Sequence, residues 1–429
     1  MHTTPDRLAS KCCIDHEVPL KFLCLFITVF AAMGAVRGDA APATKAKHAS
    51  KIIYYGNIRS FYHTRSFQKG TNQYAFSLGG NFHVEGDLFQ NFGAGLTYGS
   101  ANPLGSQDPN PKKRDTSLSQ FAGPVSVLEE AYGQYHTPFV SLRVGRQIIK
   151  TPWAHASDSR IIPNAFQGVS ASAKASSSLT FFVDRMVRFK SRPSATFDAN
   201  DLLSNKFTRG VLAAGAVYSQ PRFAAQAWYY DFYDTARMGY VDAIERFQLK
   251  SKYHPFVAAQ YVAEAGDTHR LSANVNAHGY GVNVGVANDR GDLSLSYNNV
   301  PFRNKAFNSG GIASPYTFSD TDPLYTTSTG TGLIDKGAGH AYRGAVTVWS
   351  YHNKFRAIAS RAEYYLYSPA TAPNNHVLAT NLDVTYFLGN GKKGDAFHGF
   401  SLRDRWIDID TPGSPLTFIN NRAQLEYDF

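Results

Sequence analysis

Ile419-Asn420-Asn421-Arg422-Ala423-Gln424-Leu425-Glu426-Tyr427-Asp428-Phe429 closes the sequence. Phe429, Tyr427, Leu425, Ala423 and Ile419 share one parity, and Asp428, Glu426, Gln424 and Arg422 share the other; Asn421 alone interrupts the apolar set. Side chains of a strand alternate between two faces, so one face here is apolar and the other charged. On a soluble sheet such a last strand would fray, and a terminal aromatic residue would anchor it poorly. Apolar-outside, polar-inside alternation over roughly 9–11 residues is instead what a strand needs to cross a membrane in a barrel.

The same alternation recurs upstream. Tyr74, Phe76, Leu78, Gly80, Phe82 and Val84 alternate with Ser77, Asn81, His83 and Glu85, and the pattern resumes at Phe92, Ala94, Leu96 and Tyr98 after a hairpin break at Gln90-Asn91. Val140, Leu142 and Val144 oppose Ser141 and Arg143; Val211, Ala213, Gly215 and Val217 form another apolar set. Tyr280 to Val286 turns through Asp289 to Asp292 into Leu293, Leu295 and Tyr297; Tyr342 to Val348 and Leu382 to Leu388 follow. Weaker runs near 53–66, 127–136, 179–187, 223–233, 244–253, 256–265, 355–367 and 400–409 bring the expected total to about 16–18 strands. No stretch sustains a helical period, and Pro or Gly interrupts most windows long enough to carry one.

Short breaks at Gln90-Asn91, Thr137-Pro138, Gln220-Pro221, His254-Pro255 and Asp289 to Asp292 alternate with long ones at Gly99 to Ser126, Lys150 to Phe166, Arg188 to Gly210 and Val300 to Gly339. Short turns on one side and long loops on the other are the rhythm of an all-β, transmembrane antiparallel β-barrel, here of about 18 strands.

Phe22 to Val36 is the long apolar run; it follows Lys11 and Lys21 and precedes small residues suited to cleavage between Ala35 and Ala43. It reads as a secretory signal peptide, too short for a comfortable membrane helix, leaving residues 44–429 as a single outer-membrane barrel domain. Cys12, Cys13 and Cys24 all fall within the leader, so the exported part has no disulfide or thiolate chemistry. Residues 1–43 carry four basic and four acidic side chains, so the net charge of +10 stays with the barrel. With 14% aromatic and 18% charged residues, the composition is too polar for a helical membrane protein and too aromatic for an ordinary soluble one. The basic balance suits anionic solutes or lipopolysaccharide; nucleic acid is not an expected partner.

A barrel of this size is too wide for its own side chains to fill, so it encloses a water-filled passage unless a loop folds inward. An arginine at the bilayer midplane on the lipid face costs about 2–4 kcal/mol, so strand arginines are expected to point inward. Arg59, Arg65, Arg143, Arg343, Arg403, Arg405 and Arg422 fall on polar parities and make a basic lumen ladder, with Glu85, Asp383 and Glu426 as the carboxylates able to pair with them. Leu142 to Gly168 joins a strong strand to a long loop carrying Lys150, Trp153, Asp158, Arg160 and Phe166, the expected inward fold that narrows the pore. Arg146 breaks the ladder rule by sharing the parity of Val144 and Ile148, which places it at the membrane rim or on a bulge.

No Gly-x-Ser-x-Gly elbow, His-Glu-x-x-His helix or phosphate loop is present; Gly389 to Gly394 lacks the phosphate loop's spacing. The fourteen histidines are scattered singly, so no metal and no cofactor is expected. Asn304 to Gly339, rich in Gly, Thr, Ser and Asp, reads as a mobile outer loop in preference to a calcium site. Val169 to Ser178 reads as a small-residue strand and turn.

Gly145-Arg146-Gln147 and Ser159-Arg160-Ile161-Ile162-Pro163-Asn164-Ala165-Phe166-Gln167-Gly168 resemble the OprD family of substrate-specific outer-membrane porins, whose corresponding loop reads Ser-Arg-Leu-Leu-Pro and ends in Phe-Gln-Gly. Arg59-Ser60-Phe61-Tyr62 through Arg65-Ser66-Phe67 is similar to that family's first strand, except that Ser66 stands where the family usually has an acidic residue. The resemblance implies an inward third loop, with Asp158, Ser159 and Arg160 at the pore constriction, and a ladder of basic residues leading carboxylate-bearing solutes to it. The expected function is therefore passive, substrate-selective uptake of small anionic or carboxylate solutes through the outer membrane of a Gram-negative bacterium, without enzymatic chemistry. The alternatives are a general diffusion porin, a barrel enzyme such as a lipid hydrolase, and an adhesin with a closed lumen. Expected partners are outer-membrane lipid, lipopolysaccharide and the barrel-assembly machinery, reached through the Phe429 strand; both a monomer and a trimer stay open.

Overall fold

A computed structural model of the chain describes residues 52–429 apart from 116–122, 158, 193, 268–273, 318–320, 350–353, 368–374, 390–396 and 415–416. The expected leader, Asp158 and most of the Gly389 to Gly394 turn lie outside the described residues.

Eighteen strands form one antiparallel sheet closed on itself. They are β1 (Ile52–Phe67), β2 (Gln73–Phe89), β3 (Phe92–Asn102), β4 (Val125–His136), β5 (Val140–Gln147), β8 (Ala165–Lys174), β9 (Leu179–Lys190), β10 (Val211–Ser219), β11 (Phe223–Phe232), β12 (Ala236–Arg246), β13 (His254–Gly266), β14 (Asn276–Asn288), β15 (Gly291–Val300), β16 (Gly339–Trp349), β17 (Phe355–Leu366), β18 (His376–Phe387), β19 (Phe400–Asp410) and β20 (Phe418–Asp428). Between β5 and β8 a small ribbon, β6 (Lys150–Thr151) with β7 (Ala154–His155), stands apart from the barrel wall. Each barrel strand pairs with its sequence neighbours, and β1 pairs with β20 from Asn57 opposite Asp428 to Phe67 opposite Phe418. Closure leaves no unpaired edge, the condition under which β-structure can cross lipid.

Connections 90–91, 137–139, 220–222 and 289–290 lie at the end shared by Ile52 and Phe429, the turn end; 103–124, 148–164, 191–210 and 301–338 lie at the loop end. Leu78, Leu96, Val140, Leu142, Val144, Val282, Val284, Leu293, Leu295, Leu382 and Leu425 project from the outside and are exposed. Aromatic rings rim this belt, as at other membrane barrels. Phe400 stacks on Tyr427 at 4.5 Å at the turn end, and Tyr297 lies 5.1 Å from Tyr342 toward the loop end.

The interior has two unlike sides. From β8 to β18 the loop-end half is filled by a buried apolar cluster that includes Trp153, Phe166, Met186, Tyr230, Met238, Tyr240, Tyr316, Leu324, Leu333 and Tyr364. The Val211, Ala213, Gly215 and Val217 set belongs to this inner side, Val211 and Ala213 being buried with the cluster. Around β19, β20 and β1 to β5 the inner wall is polar, with Arg59, His63, Ser77, His83, Thr97, Gln134, Asn420, Arg422 and Gln424 buried.

Three expectations are corrected. The strand expected near 244–253 is β12, Ala236–Arg246, with 247–253 as the turn, and His254-Pro255 opens β13 instead of forming a turn. On β12 the inward residues Met238 and Tyr240 are as apolar as the outward Val241, because loops cover them from inside, so the alternation is erased. The segment expected as a mobile outer loop folds into the barrel: Glu264 accepts the Ala313 N–H (2.8 Å), Asn298 accepts the Thr326 N–H (3.0 Å), and the Tyr364 hydroxyl donates to the Thr326 carbonyl (2.7 Å). Its Gly/Thr/Ser composition is therefore that of a buried segment satisfied by hydrogen bonds. Finally, strand arginines do not all point inward. Arg361 shares the outward parity of Tyr365 and is 61% exposed, and Arg237 faces outward near the loop end.

Candidate functional site

The loop 148–164 starts from β5, where Gly145 has φ 132° and the Cβ of any other residue would lie 2.2 Å from the Ala131 carbonyl oxygen. Only glycine fits this positive-φ contact, which explains the glycine of Gly145-Arg146-Gln147. Gly145→Ala should cost about 1–3 kcal/mol, read as a lower temperature for loss of the folded band in a heat-shift gel. Arg146 lies at the loop end of β5, its guanidinium 4.6 Å from the Phe197 ring centroid and donating to the Leu128 carbonyl at 3.3 Å.

From there the loop spans the lumen with two arms. In the first, Trp153 is fully buried; its backbone N–H donates to the Tyr230 hydroxyl (3.2 Å) and its ring meets Tyr240 edge-on at 6.0 Å, fastening the ribbon to β11 and β12. In the second, Ile161 and Ile162 bury against Phe61 of β1 and Val125 and Val127 of β4. Asn164 ties the arms together: its amide donates to the His155 carbonyl (2.7 Å) and its oxygen accepts from the Ser157 N–H.

Two consecutive glutamates hold the loop's roots. A shift in register between Thr97 and Tyr98 of β3 gives β4 an extra residue, and both Glu129 and Glu130 are buried in consequence. Glu130 accepts the Ile148 N–H (3.0 Å) and the Thr97 hydroxyl (2.6 Å) where the loop begins. Where it ends, Lys190 donates to the Pro163 carbonyl (2.7 Å) and lies 3.8 Å from Glu129, both side chains being without exposure. In loop 301–338, burial pushes the Tyr316 phenol up to about 12, so it stays a neutral partner for Thr208 at 3.0 Å.

Of the expected constriction residues, Ser159 and Arg160 are buried in the second arm, and Asp158 is not among the described residues. Arg160 donates to the Ser159 carbonyl (2.9 Å), and its own carbonyl accepts from Arg59 (3.4 Å). Arg192, which the sequence did not single out, donates to the Ser157 hydroxyl (3.0 Å) and to that of Ser159. It sits in the irregular segment after β9, where no periodicity marks it.

The seven ladder arginines divide. Arg59, Arg403, Arg405 and Arg422 stand on three adjacent strands, with Arg405 directly opposite Arg422 in the register and Arg422 opposite His63. Arg65 is higher on β1, 3.5 Å from Asp115. Arg143 on β5 and Arg343 on β16 belong to other walls. Several are held by carboxylates: Arg59 by Glu426 (2.6 Å), Arg403 and Arg405 by Asp383 (2.5 and 3.0 Å), and Arg143 more loosely by Glu85 (3.9 Å) while lying 3.9 Å over the Tyr132 ring. The wall is thus a mixed array in which guanidinium groups outnumber the acids beside them.

No curated protein matches the sequence. Among solved structures, the barrel is similar to OccK9 (OpdG) of Pseudomonas aeruginosa, with TM-score 0.76 at 14% identity over 88% of this chain and 98% of that one. A BenF-like porin from Pseudomonas fluorescens Pf-5 gives 0.76 at 13% identity, and Pseudomonas aeruginosa OccK2 (OpdF) gives 0.73 at 14%, each over the same shares of the two chains. At such identities the likeness is one of fold. The sequence itself matches the model of the outer membrane porin, OprD family, over residues 138–322, the stretch that holds the loop 148–164, the Tyr230 and Tyr240 anchors of its first arm and Lys190 at the end of its second. Residues 138–322 thus match the model of the outer membrane porin, OprD family, within an 18-stranded barrel whose fold is that of the solved porins.

Proposed function

We propose that this porin passes small carboxylate-bearing solutes by passive diffusion, selecting them at the loop that spans its lumen. The observation that carries the reading is the company kept by that loop: Arg59, Arg160, Arg192, Arg403, Arg405 and Arg422, with Arg65 above them, share their side of the lumen with Glu426, Asp383 and Asp115. Among the described residues the guanidinium groups of this side outnumber its carboxylates even with Glu85, Glu129 and Glu130 counted, which lowers the barrier for an anion, and the planar fork of arginine suits a carboxylate group. Like-charged Arg405 and Arg422, placed opposite each other, gain most from an anion between them. OccK2 (OpdF) has been solved in complex with glucuronate and OpdK with vanillate, two carboxylates.

On this reading a leader cleaved somewhere in residues 35–43 directs export, and the Phe429 strand is what the barrel-assembly machinery engages. The test is the reversal potential of the reconstituted protein in a KCl gradient. An anion-selective channel is expected, with the preference reduced by Arg160→Gln combined with Arg192→Gln and with current blocked by an added carboxylate. Cation selectivity indifferent to those replacements would refute the proposal. Conductance that no carboxylate blocks would leave a general diffusion porin.

A further inference from the structure

The outer belt is apolar along most of its circumference; charged residues break it at Arg185, Asp231 and Arg237 on β9, β11 and β12, and again from β17 to β20. Arg361 is the seventh of twelve residues in β17, Asp404 the fifth of eleven in β19 and Asn421 the fourth of eleven in β20, so all three lie well inside the ends of their strands. All share the parity of exposed apolar neighbours, Tyr365, Leu402 and Leu425 respectively. Asp408 lies on the same outward parity of β19. Glu363 shares the register row of Tyr297 and Tyr342, at the aromatic rim, whereas Arg361 and Asp404 are deeper.

Their contacts within the face are few. Asn421 donates to Asp404 (2.9 Å), and Arg361 lies 3.6 Å from Glu363, which leaves most of the five guanidinium donors facing outward. Acyl chains offer those donors nothing. The residues around them are small: Gly344 opposes Arg361 on β16, Ala357 and Ala359 lie below it on β17, and Ala423 opposes Asp404 on β20. A surface of that kind admits a close neighbour and rewards one that brings opposite charge.

We propose that the outer face of β17 to β20 is where two copies of this chain meet in the membrane. The choice of partner follows from the arrangement of charge. The register sets Arg361 opposite Thr380 and Thr380 opposite Asp408, so cation and anion flank β18 on either side, two strands apart. Copies inserted in the same direction are related by an axis along the membrane normal. A two-fold axis over β18 exchanges β17 with β19 and brings Arg361 of each copy against the Asp404 and Asp408 edge of the other. The patch is then complementary to itself, as an isologous interface requires.

Thr380, on the axis strand, gives the test, because the described barrel contains no cysteine. In a full-length chain with Cys12, Cys13 and Cys24 changed to serine, Thr380→Cys should form a disulfide-linked dimer when outer membranes are oxidised. Leu295→Cys, exposed on the outside of β15, should not. Arg361→Leu combined with Asp404→Leu should weaken association by at least about tenfold in sedimentation while conductance is kept, since neither residue faces the lumen. The proposal is overturned if Thr380→Cys stays monomeric in the membrane, if it links only to a different protein, or if the double leucine variant associates as strongly as the parent.

Discussion

Replacing Lys190 with methionine should cost about 3–5 kcal/mol and loosen the loop 148–164, because it takes the positive charge away from beside a carboxylate that has no exposure. Lys190 also holds the Pro163 carbonyl, so the second arm of the loop loses its root as the wall loses its ion pair. The expected signature is a lower melting temperature in a heat-shift gel together with a larger, noisier single-channel conductance. Adding Glu129→Leu should restore most of the stability, since an apolar pair can replace a buried ion pair at little cost. Conductance should stay raised, because the Pro163 contact is still missing. If Lys190→Met melts and conducts like the parent, the ion pair does not hold the loop.

Trp153→Ala should have an effect of similar size at the other arm. Its side chain is fully buried against Tyr240, and removing a buried tryptophan costs about 3–5 kcal/mol where the cavity cannot collapse. Much of that loss falls on the ribbon, so the pore should widen while the barrel stays folded. Tyr230→Phe removes only the hydroxyl that accepts the Trp153 N–H and should cost about 1 kcal/mol with little change in current. A Trp153→Ala channel with unchanged conductance would show that the ribbon keeps its place without this anchor.

The sequence told the wall of the barrel better than its contents. Ile419 to Phe429 and the hairpin through Asp289 to Asp292 were legible because lipid outside and water inside impose a period of two, and β20 and the β14–β15 hairpin are where that period put them. Where protein replaced water inside, the signal vanished: β12 was displaced, and the Gly/Thr/Ser-rich segment 301–338 gave no sign that it would be buried. Glu129-Glu130 shows a second limit. Strict alternation sends adjacent residues to opposite faces, and only the extra residue of the bulge, which depends on the pairing with β3, turns both inward. Register likewise decides that Arg403 and Arg405 share Asp383, and loop geometry alone brings Arg192 to Ser157 and Ser159.

The seam between β1 and β20 joins the earliest described strand to the last, with Gly56 and Phe429 exchanging backbone hydrogen bonds (3.2 and 3.1 Å). Asn57 must therefore wait for Asp428, a partner that a ribosome delivers 371 residues later. A chain halted anywhere short of that point presents two sticky margins to whatever lies nearby. Secretion of this polypeptide thus has to be finished before its folding can be, and anything that shepherds it must guard both borders until they meet.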